Sequence, residues 1–424
     1  MRRSEYSNAI ERRSHRIRIP VMAAATIVAL WLGYVIVGNT IAATTTDPVE
    51  ALTVRPGLSS ALITLAEERL AAADDDGTLA EVERLARTAL AGEPLQARSL
   101  RLLGLVADIR DETVRADALV RLAAERVRRD ALSQLWLLER DLNEQRLVEA
   151  ADRIDVILRA RPDMRPMLLP AAATLVRTST GRDAFVRHLD RDPPWRSWLL
   201  NELPKASEPF AVHALLKDLQ TSRVPLNNNE LRPFIEALIS SKQFDFAYLV
   251  WVGFLPAEVR SALPYMFNGS FEAEPSGIPF DWSIANIKGA TTDVADRGDG
   301  TGRSLRVTFA GTRVEYRHVR KLLVLPPGRY AFSGMERADA LENERGLAWR
   351  LKCAGRDGDR IAEGAPLSGT VPWRRFSVGF VVPPRCPAQW LSLEILARIP
   401  SEEQIAGEVW YDELAIERAA PSSS

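Results

Sequence analysis

Two periodicities divide this chain, and the point where one gives way to the other constrains the fold more than any single motif. From residue 47 to about 263, apolar residues recur every three or four positions; from Asn268 to Ile416 they alternate with polar ones. The first spacing gathers apolar side chains on one face of a helix, and the second gathers them on one face of a strand. In residues 79–90 the apolar set is Leu79, Val82, Leu85, Ala86, Ala89 and Leu90, stopped by Gly92 and Pro94. After Asn268 the segments are short and broken by Gly and Pro, and five of the ten tryptophans lie there (Trp282, Trp349, Trp373, Trp390 and Trp410). That is the pattern of an antiparallel sandwich. The fold class is therefore multidomain α + β, and 424 residues suffice for two or three domains.

Charge excludes one partner class. The 55 Lys and Arg balance 56 Asp and Glu to a net −1, so no basic excess exists to neutralise nucleic-acid phosphates. The N-terminal segment 1–18 is basic nonetheless: Arg2, Arg3, Arg12, Arg13, Arg16 and Arg18 face only Glu5 and Glu11. An uncharged run follows, mostly apolar from Ile19 to Gly38, about 20 residues and so roughly 30 Å as a helix. The reading is a basic tail (1–18) and an uncleaved transmembrane signal anchor (19–41) in a bacterial inner membrane. The arginines keep the N-terminus cytoplasmic and place the bulk in the periplasm. A cleaved signal peptide, with Ala42 and Ala43 before the cut, and a buried core helix are the alternatives. The two cysteines, Cys353 and Cys386, would pair in an oxidising compartment, closing a loop of about 30 residues for roughly 3 kcal/mol; two buried thiols are the alternative.

Within the helical region, Pro94 and Pro162 are separated by two periods of about 34 residues each. With that register, Leu100, Leu103 and Gly104 fall on one helix of a repeat starting at Ala97, and Ala116, Val120 and Ala123 on its second. In a repeat starting at Ala131, Leu137, Ala150, Ile154 and Pro162 take matching places. Residues 58–165 thus resemble tetratricopeptide helix pairs, whose period this is. Arg128 stands where that pattern has proline, and Ala107 and Asp141 where it has an aromatic. Further helices are expected over 184–189, 194–203, 209–219, 229–240 and 244–254, with residues 227–229 as loop and cap. The helical-repeat domain is bounded at 47–263, and such solenoids offer a concave surface to a protein partner.

Strands are expected over 304–309, 314–325, 330–337, 346–353, 376–382, 390–396 and 409–416. Parity puts Leu347, Trp349, Leu351, Phe376, Val378, Phe380, Leu391, Leu393 and Ile395 inside. Asn268-Gly-Ser-Phe-Glu272, Pro279-Phe-Asp-Trp282, Leu325-Pro-Pro-Gly-Arg-Tyr330, Trp373-Arg-Arg-Phe-Ser377 and Gly407-Glu-Val-Trp-Tyr-Asp412 follow one another in an order that resembles the carbohydrate-binding jelly rolls of the galactose-binding-like class. The resemblance covers 266–418, leaving 419–424 as a disordered tail. Such a module after an anchored repeat region resembles proteins of bacterial exopolysaccharide assembly. The resemblance implies a structural calcium between first and last strands, at Glu272 and Asp412; solvation or pairing with arginine is the other reading of those carboxylates.

For a ligand, the outward set is Arg337, Arg350, Arg375 and Glu394 with Trp390 beside it, extended by Tyr316 and His318. Arginine forks on such a face suit an acidic polysaccharide; an ordinary solvated sheet face, which arginines also populate, is the other reading. Trp282 and Trp349 read as core. No catalytic motif stands out: His15, His188, His213 and His318 have no metal spacing, and neither a nucleophile elbow nor a phosphate loop is present. The sequence reading is therefore a non-enzymatic scaffold of an envelope polysaccharide machinery, repeats on a protein partner and jelly roll on polymer. A glycan-cleaving or glycan-modifying enzyme and a purely protein-binding assembly factor are the alternatives.

Overall fold

The computed structural model describes Trp31, Thr40 and residues 47–297, 300–355 and 359–419. Among these residues no helix is long and apolar enough to cross a membrane. This corrects the assignment to the inner membrane as a single-pass, periplasm-facing protein. The run from Ile19 to Gly38, the basic tail before it and residues 420–424 lie outside the described residues, Trp31 apart.

Two compact units divide between Arg165 and Pro166, well before the expected boundary at residue 263. In the first, α1 (Pro48–Val54) precedes three helix pairs: α2 (Ser59–Ala71) with α3 (Asp76–Gly92), α4 (Ala97–Ile109) with α5 (Thr113–Arg126), and α6 (Ala131–Asn143) with α7 (Leu147–Ala160). α4 and α6 start where the repeat period places them. The turns inside these two pairs carry Asp111 and Gln145, both left-handed and at equivalent places of successive repeats. Small residues set the spacing: Ala86, Ala89, Ala116, Ala123, Ala150 and Ala151 are completely buried. A Cβ at Gly104 would lie 2.5 Å from Val120 Cγ2, so α4 and α5 approach there only through glycine. Charges repeat with the fold, for Arg101 reaches Glu67 at 2.6 Å and Arg110 reaches Asp76 at 2.9 Å, each pair spanning one repeat period.

The second unit carries α8 (Arg165–Val176), α9 (Ser179–Leu189), α10 (Arg196–Ala206), α11 (Pro209–Gln220), α12 (Asn228–Ser240), α13 (Phe244–Phe254) and α14 (Ala257–Ser261). Asn227 caps α12 as expected: its side chain accepts from the Asn229 and Glu230 N–H groups, and Glu230 accepts from the Asn227 N–H in return. Arg196 is buried and donates to both Glu230 oxygens, at 2.7 and 3.0 Å, and to the Leu189 and Val224 carbonyls. An aromatic cluster explains why these helices group with the strands. Trp251 of α13 lies 5.6 Å from Phe280 and 5.4 Å from Phe267, and Tyr248 lies 5.5 Å from Phe280.

The strands form two five-stranded sheets, every pairing antiparallel. They are β1 (Ser283–Ile284), β2 (Ala290–Asp296), β3 (Arg303–Arg313), β4 (Val319–Leu323), β5 (Gly328–Glu342), β6 (Leu347–Cys353), β7 (Arg360–Glu363), β8 (Gly369–Val382), β9 (Gln389–Ile395) and β10 (Gln404–Arg418). The first sheet has the order β1-β4-β9-β6-β7 and the second β2-β3-β10-β5-β8. Their inner faces meet in an aromatic core in which Trp349 touches Trp282, Phe332 and Tyr411. Parity held for the inner residues named above. Cys353 and Cys386 are joined, with Cα atoms 5.5 Å apart.

The opening motif closes this sandwich. Asn268 is left-handed, Gly269 lies so near β10 that a Cβ would fall 1.9 Å from the Leu414 carbonyl oxygen, and Leu414 N–H donates back to Gly269. Lys321, on the inner face of β4, is 1% exposed. Its amine donates to the Phe267 carbonyl at 2.7 Å and the Asp281 carbonyl at 2.9 Å, 4.9 Å from the Trp282 ring centre. Burial pulls its pKa down to about 7, with Asp281 opposing.

One expected strand is half lost. Residues 314–318 leave the ladder and only Val319–Leu323 pairs, because Val314 bonds to Glu403 and the Tyr316 hydroxyl to Thr292, 2.9 Å away.

Candidate functional site

The outer face of the first sheet is an array fixed by register. Across β4, β9 and β6 one row reads Leu322, Trp390, Lys352; the next reads Arg320, Ser392, Arg350; Glu394 and Ala348 follow. β7 adds Glu363 opposite Arg350. Glu394 is the hub. It accepts from the Lys352 amine at 2.8 Å, from Arg350 at 3.3 Å and from the Ser392 hydroxyl at 2.5 Å. Arg350 also donates to Glu363 at 2.8 Å, and Arg360 joins it at 2.7 Å. The Arg320 guanidinium lies 4.9 Å from the Trp390 ring centre.

Burial pushes the Glu394 carboxyl up, but the bonds from Lys352 and Ser392 and the Lys352 charge outweigh it and hold the group below its ordinary value. Glu363 is likewise raised by burial and brought below its ordinary value by Arg350 and Arg360. Both are thus fixed anions. Neither is suited to give up a proton as a general acid, which needs a carboxyl held high.

Of the expected ligand set, the structure brings together Arg350, Trp390 and Glu394. Arg337 on β5 and Arg375 on β8 face outward from the second sheet, so the set expected on one face is divided between two. Tyr316 is not part of a groove: it is 3% exposed, packed on Phe309, and burial raises its hydroxyl pKa. His318 is half-buried beside it, its pKa lowered by burial and by Arg317 and Arg320, and so neutral at pH 7. Lys352, Arg320 and Glu363 were left out of the expected set. Carrying the parity of β4 and β6 one step further in each direction would have found the first two.

The residues do not fit the expected calcium. That ion takes about six to eight oxygens. Asp412 gives one oxygen to the Arg297 guanidinium at 2.7 Å and the other to the Glu413 N–H at 2.6 Å, so a positive charge already occupies its open side. Glu272 accepts the Arg303 N–H at 3.0 Å. Among the described residues no group of three or more potential ligands gathers.

In the first unit, a cavity of about 600 Å³ opens among α2, α4 and α6, lined by Glu67, Arg98, Arg101, Leu105, Arg129 and Leu132. Arg101 is held between Glu67 and Asp130, and Leu132 is 54% exposed.

No protein-family model matches the sequence, and no curated protein matches it. Solved structures match in part. A structure reported as "CBM4 structure and function" is 16% identical, covers 36% of this chain and 99% of its own, and has a TM-score of 0.29. The CBM22-1 xylan-binding domain from Paenibacillus barcinonensis Xyn10C is 17% identical over 36% of this chain and 94% of its own, with a TM-score of 0.26. PilF of Pseudomonas aeruginosa is 18% identical over 46% of this chain and 89% of its own, with a TM-score of 0.25. At such scores these are similarities of outline, and the chemistry of the site stands on its own residues.

Proposed function

We propose that this is a non-enzymatic binding protein whose sandwich holds an acidic glycan across the outer face of the first sheet, while its helical repeats hold a protein partner. The observation that carries the reading is the placement of Arg320, Arg350 and Lys352 around Trp390 on one sheet face. An indole beside cations offers a sugar ring a flat apolar surface and its carboxylate a set of donors. The fixed anions Glu394 and Glu363 orient those cations. The cavity among α2, α4 and α6, with arginines and an exposed leucine, is a fitting seat for a partner's acidic segment. Together the two functions suit a scaffold in the assembly of an envelope exopolysaccharide.

A glycan-cleaving enzyme would need a carboxyl held above its ordinary value beside a second one, and the two carboxyls on this face are both held below. Calorimetric titration of the full chain with polygalacturonate at low salt tests the proposal. Binding is expected to weaken about tenfold for Arg350→Ala and again for Lys352→Ala, and to fall steeply with added salt. Unchanged affinity in the double variant removes the assignment to this face.

A further inference from the structure

The outer face of the second sheet carries an arrangement that the proposed site does not use. A single ladder crosses four strands: Asp293 on β2 faces Arg306 on β3, Arg306 faces Trp410 on β10, and Trp410 faces Arg337 on β5. On β8 the register shifts between the pairs Glu336–Arg374 and Ala338–Val371, and Trp373 falls in that irregular stretch beside Arg337. Arginine and tryptophan therefore alternate across the sheet, on the side away from the core. The Arg337 guanidinium lies 4.4 Å from the Trp410 ring centre, and Arg297 lies 4.5 Å from that of Trp373.

The cations of this face are not equivalent. Arg306 is forked onto Asp293 at 3.0 and 2.7 Å, Arg297 is bonded to Asp412 at 2.7 Å, and Arg375 to Glu413 at 3.1 Å. Among the described residues the Arg337 guanidinium makes no hydrogen bond or ion pair and only stacks. A stacked guanidinium keeps its N–H edge free, and that edge matches a carboxylate in two parallel bonds. Trp410 is 9% exposed beneath this arginine. Trp410 lies outside the inter-sheet core cluster and is the floor on which Arg337 is laid.

We infer that the Arg306–Trp410–Arg337 ladder with Trp373 is a second site for an acidic glycan, so that one sandwich binds two polymer segments on opposite faces. The inference rests on the proposal that the sandwich takes such a glycan. A uronate carboxylate takes the free edge of Arg337, and its ring lies along the Arg337–Trp373 strip. The outer faces of a two-sheet sandwich point away from each other, so the two segments cannot be one short oligosaccharide.

Stoichiometry separates the possibilities. The full chain is titrated calorimetrically with trigalacturonate, which is too short to span both faces. Two molecules per chain are expected for the natural sequence, one for Arg337→Ala, one for Arg350→Ala with Lys352→Ala, and none for the triple variant. Arg337→Lys keeps the charge without the planar fork and should weaken the second site about tenfold. A neutral trisaccharide should bind this face at least tenfold more weakly. One molecule per chain, lost with Arg350 and Lys352 but untouched by Arg337→Ala, overturns this inference and leaves the proposed function standing. Two molecules unaffected by Arg337→Ala also overturn it. No binding in any form overturns both.

Discussion

The helical repeats and the sandwich are held together in opposite ways. Between α2 and α7 each helix packs on its neighbours in sequence, alanines fill the gaps, and ion pairs return at the repeat period, as in Glu67–Arg101 and Asp76–Arg110. The sandwich is joined from distant segments. β10 pairs with β3 through Tyr411 and Leu305, Leu414 bonds back to Gly269, and Lys321 ties β4 to the carbonyls of Phe267 and Asp281. The difference teaches where damage spreads. A fault in a repeat is borne by its neighbours, while a fault in the sandwich opens the whole core.

The largest expected effect breaks the contrast inside the helices. Arg196 and Glu230 have the same sequence separation as the repeat pairs, but here both partners are buried, whereas Glu67 and Asp76 reach solvent. Glu230→Ala leaves the guanidinium uncompensated and should cost about 3–5 kcal/mol by denaturant titration, far more than any exposed repeat pair. Loss of less than about 1 kcal/mol would place this pair with the surface ones. Next comes the Cys353–Cys386 bridge, 33 residues apart. Cys353→Ser with Cys386→Ser should destabilise the sandwich by about 3–4 kcal/mol and leave the melting of residues 59–160 unchanged. A common shift of both transitions in calorimetry would erase the contrast.

Smaller still, Gly104→Leu forces α4 away from α5 and should cost about 1–3 kcal/mol, confined to the first unit. Hydrogen exchange that spreads into the strands would contradict that confinement. Within any single pH unit the smallest effect is a slope. Lys321 has a folded pKa near 7 against an ordinary value of 10.5, so the unfolded chain holds more protons between those pH values. Stability therefore rises with pH in that window, by about 1 kcal/mol per unit, and the cost of burying the charged amine is fully present below pH 7. In Lys321→Met that slope should disappear. A variant with the same pH slope as the natural chain would show that Lys321 does not titrate there.

The repeats were legible because their signals are local. Two prolines set a register that places α4 and α6 to the residue, and the asparagines 227–229 announce a helix start. α8 was missed because Pro170 lies inside it, and proline normally ends a helix. β2 and β7 escaped for want of alternation long enough to count, β7 being a short strand with charged ends. The candidate site was half legible, for a physical reason. A period of two tells inside from outside but not which of two sheets a strand joins, so Arg337 and Arg350 look alike in sequence yet stand on different faces. Residues 314–318 alternate like a strand, but a tyrosine that finds Thr292 left the ladder. Likewise, nothing in the period of α13 says that Trp251 will pack against Phe280.

Lys321 has one more consequence. Its amine is sealed from solvent by Trp282 and two carbonyls. Acylating reagents should therefore modify the exposed Lys217 and Lys288 within minutes and reach Lys321 only when the sandwich opens. Peptide mass spectrometry of that one residue would read the opening rate of the jelly roll as a clock, and a bound glycan should slow it; labelling of Lys321 as fast as Lys288 would mean that the seal is open.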